Sequence, residues 1–398
     1  MSVLNLRLKT AIELFHGGRL AEAALLCEAL AADGEASSQF RGLFGELQVL
    51  RNQTDAAEPL LVAALAEAPE SLRLRGLLAE TYRRAGRLLE AAGLYRDLHR
   101  PALAAKLAAT GGGWYRLTPP TAPVTLPWLG ESGPALIEAR IGDGRVGRFL
   151  IDTGVGETLL DPHLASAAGV ALFGDEAIHF PAGPAGRVEH GLLSRLALGD
   201  LVIEGVPVQV YATRTAMAGL LPLPVDGVVG SGLLSRLPVA LDWARRELRL
   251  GDATAGDGDE TGSPFYWAAD QYPLVPARLN DRLDTLLFLD TGLSGTAFGL
   301  SLSSAQAAEV ELADAIQGVG YGVQHQFQAQ ALRCQSLSVA DHRRQGLIGM
   351  LLQPFRLEHR FGFRIGGLLG DGFMDGRCLW LDFTRMRIAI TGSDSAGV

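Results

Sequence analysis

Two short stretches of this chain repeat one pattern. Residues 149–158 read FLIDTGVGET, and residues 288–296 read FLDTGLSGT. In each stretch an apolar run typical of a β-strand ends at an aspartate, Asp152 or Asp290, and Thr-Gly comes next. Because Asp-Thr-Gly also recurs by chance at ordinary strand ends, its significance depends on the residues further along the chain.

The same two features occur downstream of each copy, in the same order. A hydrophobic-Gly segment comes first and a strand-like run containing an aspartate comes second: DGVVGSGLL at 226–234 and PVALDW at 238–243, then GGLLGDGFM at 366–374 and CLWLDF at 378–383. Asp152 and Asp290 are 138 positions apart, and the glycines Gly230 and Gly370 are 140 apart. Matching features in one order, at spacings that differ by only two residues, indicate an internal duplication. We therefore expect two β domains of one fold.

The bulk composition is that of a soluble globular protein. The chain has 398 residues, of which 48% are hydrophobic and 20% charged, and its net charge is −9. This length predicts two or three domains. An acidic balance argues against general nucleic-acid binding, which needs clustered Lys and Arg. We expect no nucleic-acid partner.

The cysteines and the hydropathy pattern predict a cytoplasmic protein. Cys27, Cys334 and Cys378 lie far apart, without the spacing of metal ligands, and are expected to be buried thiols. Charged residues interrupt the first 30 positions, and no apolar run has the roughly 18 to 20 residues of a membrane span. The histidines show no paired metal-binding spacing. We expect no metal, no cofactor and no membrane partner.

Residues 1–110 are predicted to be helical and repetitive. Ala23, Ala57 and Ala91 are 34 positions apart, and the polar turns that precede them show the same spacing. This pattern resembles the tetratricopeptide repeat, in which small residues let paired helices pack closely. The resemblance implies stacked helix pairs with a concave face for a protein partner. The alternative is a helical bundle that only caps the next domain.

Two segments are predicted to be linkers. Residues 111–128 contain three consecutive glycines and four prolines and favour an extended connector. Residues 251–264 are rich in Gly, Asp, Thr and Glu and read as an exposed acidic linker. The two β domains then occupy residues 129–250 and 265–398.

The β copies resemble the retropepsin-like and pepsin-like aspartic proteases, including bacterial members of that superfamily. The Asp-Thr-Gly, the hydrophobic-Gly segment and the closing strands of each copy support the resemblance. It implies two β-barrel lobes, with Asp152 and Asp290 as a catalytic pair. It also implies that Thr153 and Thr291 lock the two loops together, and that Gly154 and Gly292 leave space for the catalytic water. A chain with both lobes should build the whole site as a monomer.

Two adjacent carboxylates are chemically suited to peptide hydrolysis. They cannot both ionise at close range, so one keeps a proton and the other acts as a base. The base takes a proton from water as it attacks the peptide carbonyl, and the acid protonates the carbonyl oxygen. The pair titrates as a unit, so neither role belongs to one aspartate.

Two Gly-rich turns are candidate flaps over a substrate. PAGPAG at 181–186 contains Gly183 and Gly186, and GVGYG at 318–322 contains Gly320 and Tyr321. Glycines suit mobile hairpin tips, and closure over a substrate would exclude water. Ordinary hairpin turns are the alternative.

The residue after each Asp-Thr-Gly departs from the family pattern. Val155 and Leu293 stand where these families usually have Ala, Ser or Thr. Loss of a hydroxyl donor and added apolar bulk should raise the pKa values of the pair. We therefore expect activity nearer neutral than strongly acidic pH. The same bulk also permits the opposite outcome, in which no water binds and the site is inert.

The sequence is thus compatible with two functions. The favoured one is an aspartic endopeptidase that processes a specific protein or peptide recruited by the helical repeats. The alternative is a catalytically inert peptide-binding adaptor on a protease fold.

Overall fold

The computed structural model describes residues 3–111, 113–118, 122–179, 185–219, 221, 223–251, 262–314, 316–319 and 326–392. An N-terminal helical region precedes two β lobes. No helix in these ranges is both long enough and apolar enough to cross a membrane.

The helical region has seven described helices. They are α1 (Val3–His16), α2 (Leu20–Ala32), α3 (Ser38–Leu50), α4 (Thr54–Glu67), α5 (Leu72–Arg84), α6 (Leu88–Asp97) and α7 (Pro101–Ala108). The first six form three hairpins whose turns are equivalent, because Gly18, Asn52 and Gly86 have φ values of 78°, 57° and 77°. The alanines of the 34-residue repeat have no exposed surface. The structure therefore confirms the predicted helices and their period.

The first lobe is built from a sheet that folds back on itself. Its strands are β1 (Arg116–Thr118), β2 (Val124–Pro127), β3 (Leu136–Ile141), β4 (Arg145–Asp152), β5 (Thr158–Leu160), β6 (Ala171–His179), β7 (Ala185–Leu198), β8 (Leu201–Val210), β9 (Gly227–Gly230), β10 (Val239–Asp242) and β11 (Glu247–Leu250). Three short helices lie between them: α8 (Pro162–Ala167), α9 (Thr213–Ala216) and α10 (Ser231–Leu234). The order of the main sheet is β1-β8-β5-β9-β4-β3-β7-β6, and β7 also pairs with β8.

The second lobe repeats this plan. Its elements are β12 (Ser263–Pro264), β13 (Tyr266–Trp267), β14 (Pro273–Leu279), β15 (Leu283–Leu289), β16 (Phe298–Ser301), α11 (Leu302–Ala307), β17 (Glu311–Leu312), β18 (Ile316–Val319), β19 (Gln326–Ala329), β20 (Ala331–Val339), β21 (His342–Leu352), β22 (Gly367–Leu369), β23 (Cys378–Asp382) and β24 (Arg387–Thr391). The order of its main sheet is β13-β14-β15-β22-β16-β21-β20-β17, and β14 also pairs with β20.

A six-stranded sheet joins the two lobes. Its order is β12-β24-β23-β10-β11-β2, so each lobe contributes three strands. The antiparallel pair β10 and β23 crosses the boundary, with Val239 opposite Leu381 and Asp242 opposite Cys378. The closing strands recognised in the sequence are thus the strands through which the lobes associate.

Part of the predicted connector 111–128 is strand. β1 pairs with β8, and β2 pairs with β11 at the edge of the shared sheet. The chain is extended there, as expected, but it is hydrogen-bonded to the first lobe. An edge strand tolerates a proline such as Pro127, because one side of its backbone has no partner. In the predicted acidic linker, Ser263–Pro264 likewise forms β12, while residues 252–261 lie outside the described residues.

The helical region packs directly on the lobes. Phe15 of α1 and Phe363 of the second lobe contact each other edge to face, with ring centroids 5.3 Å apart. The Arg84 guanidinium of α5 donates to the carbonyl oxygens of Trp267 and Ala268 at 3.0 and 2.9 Å. These contacts join the helical region to the second lobe. The three cysteines are buried and unpaired, as predicted.

Candidate active site

Both copies of Asp-Thr-Gly stand at the end of a central strand. Asp152 is the last residue of β4, whose parallel partner β9 places Gly230 beside it. Asp290 comes directly after β15, which pairs in parallel with β22, and its backbone N–H donates to Leu369 O at 2.9 Å. The hydrophobic-Gly segments are therefore the strands that support the two aspartate loops. This equivalence is the structural form of the duplication seen in the sequence.

The two threonines form a reciprocal link between the lobes. Thr153 N donates to Thr291 Oγ1 at 3.0 Å, and Thr291 N donates to Thr153 Oγ1 at 3.1 Å. Each hydroxyl then donates to a carbonyl oxygen of the opposite strand: Leu289 O at 2.7 Å and Ile151 O at 3.2 Å. Both side chains are almost fully buried. Four hydrogen bonds thus hold the loops together at the position where the resemblance implied a lock.

The structure brings Asp152 and Asp290 together. A single backbone amide, that of Gly292, lies within hydrogen-bond distance of both carboxyl groups. Gly292 N donates to Asp152 Oδ1 and to Asp290 Oδ1, both at 3.1 Å, and so links the two acids. Gly154 N donates a further bond to Asp152 Oδ1 at 2.7 Å. Backbone amides therefore position the Oδ1 atoms of both aspartates.

The two loop glycines lie directly against the carboxylates. A Cβ on Gly154 would lie 2.5 Å from Asp290 Oδ1 and 2.9 Å from Asp152 Oδ1. A Cβ on Gly292 would collide with the Asp152 carboxylate in the same way. Any side chain here would displace the acids, so both positions require glycine.

Burial and mutual repulsion alter the acidity of the pair. Burial raises the pKa of Asp152 above its usual value, although the amide donors oppose the shift. Burial raises the pKa of Asp290 much further, and the neighbouring Asp152 charge adds to the effect. One proton is therefore retained by the pair well above the pH at which a free aspartate ionises. These shifts act in the direction expected from the sequence, but burial is their main cause.

Val155 and Leu293 extend into apolar clusters of the two lobes. Val155 packs with residues that include Leu159 and Val228, and Leu293 packs with the cluster that contains Phe288 and Leu368. The backbone N–H of Leu293 donates to Asp290 Oδ1 at 3.1 Å. This amide gives Asp290 a donor at the residue where the families usually have Ala, Ser or Thr.

Two supporting residues were not found from the sequence. Ser231 Oγ donates to Val155 O at 3.2 Å, next to the first aspartate loop. Asp371, at the equivalent position of the second copy, accepts from Ser294 Oγ at 2.7 Å and from Gly295 N at 2.6 Å. Burial raises the pKa of Asp371 to about 6. Their matching positions, in the sequences Gly-Ser-Gly and Gly-Asp-Gly, were the signal from which this equivalent role could have been predicted.

Only part of the flap prediction falls on described residues. Gly186 lies in β7 opposite Ile178 of β6, near the end of an antiparallel hairpin. Gly183, Gly320 and Tyr321 lie outside the described residues. β18 and β19 form a second antiparallel hairpin in the other lobe. Both predicted turns therefore connect paired strands, and their role as flaps stays a prediction.

A buried ion pair between the helical region and the first aspartate loop was also missed. Lys106 of α7 has no exposed surface, and its Nζ donates to Glu157 Oε2. Burial lowers the pKa of the Lys106 ammonium, and Glu157 partly offsets that shift. The sequence did contain a signal, because Lys106 is the only charged residue in the apolar run PALAAKLAA. A lysine buried with such a run is expected to have an acidic partner.

Comparison with protein families gives a match within the first lobe. Residues 137–234 match the family described as aspartyl protease. No curated protein matches the chain. Within the described ranges, no three His, Cys, Asp or Glu residues are grouped so that they could hold a metal ion.

Similar solved structures include an aspartic proteinase from Irpex lacteus, with 13% identity, a TM-score of 0.46, and coverage of 69% of this chain and 99% of that one. Basic 7S globulin from soybean has 14% identity and a TM-score of 0.41, covering 69% and 96% of the two chains. A retropepsin-like aspartic protease from Rickettsia conorii has 17% identity and a TM-score of 0.24, covering 34% and 92%. In this chain the helical region is followed by two β lobes with one Asp-Thr-Gly loop in each, and the family match lies in the first lobe.

Proposed function

We propose that this chain is an aspartic endopeptidase whose catalytic pair is Asp152 and Asp290. The observation that carries the proposal is that one backbone amide, Gly292 N–H, donates to both carboxyl groups at 3.1 Å, which places the two acids side by side. A structural ion pair needs an opposite charge, whereas two adjacent acids create a site that holds one proton between them. Such a site is suited to acid and base catalysis in one step.

The pair acts on a water molecule and a peptide carbonyl. The ionised carboxylate accepts a proton from the water, whose oxygen forms the new bond to the carbonyl carbon. The protonated carboxyl donates its proton to the carbonyl oxygen, which gives a neutral tetrahedral diol. Collapse of the diol breaks the C–N bond: the ionised carboxylate takes a proton from one diol hydroxyl, which becomes the carbonyl of the new acid, and the protonated carboxyl donates its proton to the leaving nitrogen. Gly154 and Gly292 keep the space in front of the acids open.

The raised pKa values of the pair favour peptide hydrolysis at mildly acidic to neutral pH. The reaction needs one proton on the pair, and burial keeps that proton bound at higher pH than in a free aspartate. We place the enzyme in the cytoplasm, where its three unpaired cysteines stay reduced. Because both lobes belong to one chain, we propose that it acts as a monomer on a specific protein or peptide.

Cleavage of a diverse peptide library between pH 4 and 8 tests the proposal. Wild type is compared with Asp152→Asn and Asp290→Asn, each with and without pepstatin. We expect wild type to cut peptides and both single variants to lose cleavage. If either variant cuts like wild type, the shared pair is not the catalyst.

The second candidate function is an inert peptide-binding adaptor. Val155 and Leu293 favour it, because neither supplies the hydroxyl usual after Asp-Thr-Gly. Under this alternative, wild type cuts no peptide, yet wild type and both asparagine variants bind the same peptides. The presence of both aspartates, both threonines and both glycines in the two loops argues for catalysis.

A further inference from the structure

A cavity of about 670 Å³ lies between the helical region and the two lobes. Its wall includes Gly154, Val155 and Gly156, which come directly after Asp152 and Thr153 in the chain. Gly154 N donates to Asp152 Oδ1 at 2.7 Å, so this part of the wall adjoins the proposed catalytic pair. The cavity extends from there toward the helices.

The helices form one complete side of this cavity. Val49 of α3 and Leu72, Gly76 and Leu77 of α5 line that side. The facing side combines part of the β6–β7 hairpin of the first lobe, including Ile178, with a loop of the second lobe, including Phe361. A volume within roughly 300–1,000 Å³ is typical of ligand pockets. The space therefore fits a few residues of an extended peptide.

Most charged groups of the wall form ion pairs, and Arg360 of the second lobe also lines the wall. Glu46 binds Arg73, Glu80 binds Arg83, and Glu157 binds Lys106. Glu176 binds both Arg100 and His190. A charged ligand placed among these pairs would have to break one of them or be buried without a partner, and either costs free energy. The remaining surface, much of it Leu, Val, Ile and Phe, suits uncharged apolar side chains.

We propose that this cavity is an extended substrate subsite, in which the helical region selects peptides with an uncharged, apolar segment on one side of the scissile bond. The proposal rests on the proposed endopeptidase function, and it gives the helices a direct role in specificity. The helices contribute to the binding site itself, because they form a wall that neither lobe supplies. A charge in this segment disfavours binding.

Gly76 allows the cavity to be filled without disturbing the fold. It lies within α5 in the cavity wall, and a Cβ built on it has no heavy atom within 4 Å. Gly93 within α6 has equally open surroundings and is not part of that wall. Gly76→Phe therefore occupies the proposed subsite, and Gly93→Phe is the matched control for an added aromatic ring on a helix.

The test measures binding and cleavage separately. For binding, the Asp152→Asn variant is titrated against an array of short synthetic peptides. These peptides carry apolar or charged residues on either side of a central bond. We expect binding of peptides with an apolar segment, about tenfold or more weaker when Gly76→Phe is added and unchanged with Gly93→Phe. A preference for charged segments, equal effects of the two phenylalanines, or no binding to any peptide would overturn the proposal.

Cleavage of the bound peptides by wild type reports on the proposed function alone. If wild type leaves them intact while Gly76→Phe still weakens binding, the endopeptidase proposal fails and the subsite stands. If wild type cuts them and Gly76→Phe cuts the same set at the same rates as Gly93→Phe, the endopeptidase stands and the subsite is refuted.

Discussion

Lys106 on helix α7 is fully buried and forms an ion pair with Glu157, five residues after Asp152 in the chain. The helical region is thereby attached to the loop that carries one of the two acids. Lys106 Nζ also lies 3.5 Å from Val208 O in the first lobe. The position of the helices and the position of the first aspartate loop are therefore coupled through one buried charge pair.

Lys106→Met should destabilise the protein strongly. The change leaves the Glu157 carboxylate buried without its cation, which costs about 3–5 kcal/mol. Unfolding in denaturant measures this loss. Arg116→Met is the control, because Arg116 and Glu204 form an exposed pair whose loss costs less than about 1 kcal/mol. Equal effects of the two methionines would contradict a structural role for the buried pair, and adding Glu157→Gln should recover part of the stability.

Thr153→Ala and Thr291→Ala should each lower stability and activity. Each removes a buried hydroxyl that accepts one hydrogen bond and donates another across the lobes, at a cost of about 1–3 kcal/mol. Because the two hydroxyls form one network, the double variant should lose less than the sum of the single losses. Thr→Ser at either position retains the hydroxyl and serves as the control. Strict additivity of the unfolding free energies would argue against a reciprocal lock.

Gly154→Ala should abolish catalysis while leaving most of the fold intact. The new methyl group would lie 2.5 Å from Asp290 Oδ1 and would displace the carboxyls from their shared position. The matched control is Gly169→Asn, at an open turn with a φ of 64°, where asparagine is tolerated. Peptide cleavage and circular dichroism are measured on both. Normal cleavage by Gly154→Ala would contradict the close contact between the loops.

Asp290→Asn should stabilise the protein at neutral pH. Burial and the Asp152 charge raise the folded-state pKa of Asp290, so ionisation is harder in the folded chain than in the unfolded one. Its contribution to stability is full below the ordinary pKa of 3.8 and is lost as the pH rises through the raised value. The stability difference between variant and wild type should therefore grow from about zero at low pH toward pH 7. A difference that does not change with pH would contradict the raised pKa.

Gly76→Ala should increase stability by about 1 kcal/mol, because alanine favours a helix interior and nothing lies within 4 Å of the added methyl group. Gly45→Ala provides the opposite case on α3, since its Cβ would lie 2.8 Å from Leu61 Cδ2. Thermal unfolding of both variants measures the difference. A loss of stability in Gly76→Ala would show that the cavity wall has no free space at this residue, and would also weaken the case for filling it with phenylalanine.

Much of the fold could be predicted from local patterns in the sequence. The 34-residue spacing indicated the helical hairpins, because Gly18, Asn52 and Gly86 each end a helix with a left-handed turn. The apolar runs before Asp152 and Asp290 indicated the central strands, and the matching hydrophobic-Gly segments proved to be their parallel partners. These features depend on residues close in the chain or on a repeated order, so one sequence suffices to predict them.

Other features needed the folded chain. The bonds between Thr153 and Thr291 join residues 138 positions apart, and the sequence indicated them only through the family resemblance. No sequence pattern indicated that Lys106 would contact Glu157 or that the helices would form one wall of a cavity beside the acids. Those contacts depend on how large surfaces pack, and packing is decided by burial summed over the whole fold. The sequence by itself determined the repeated elements and the two aspartates, whereas the tertiary structure decided the amide donor that the two acids share, the burial that raises their pKa values and the place of the helices beside them.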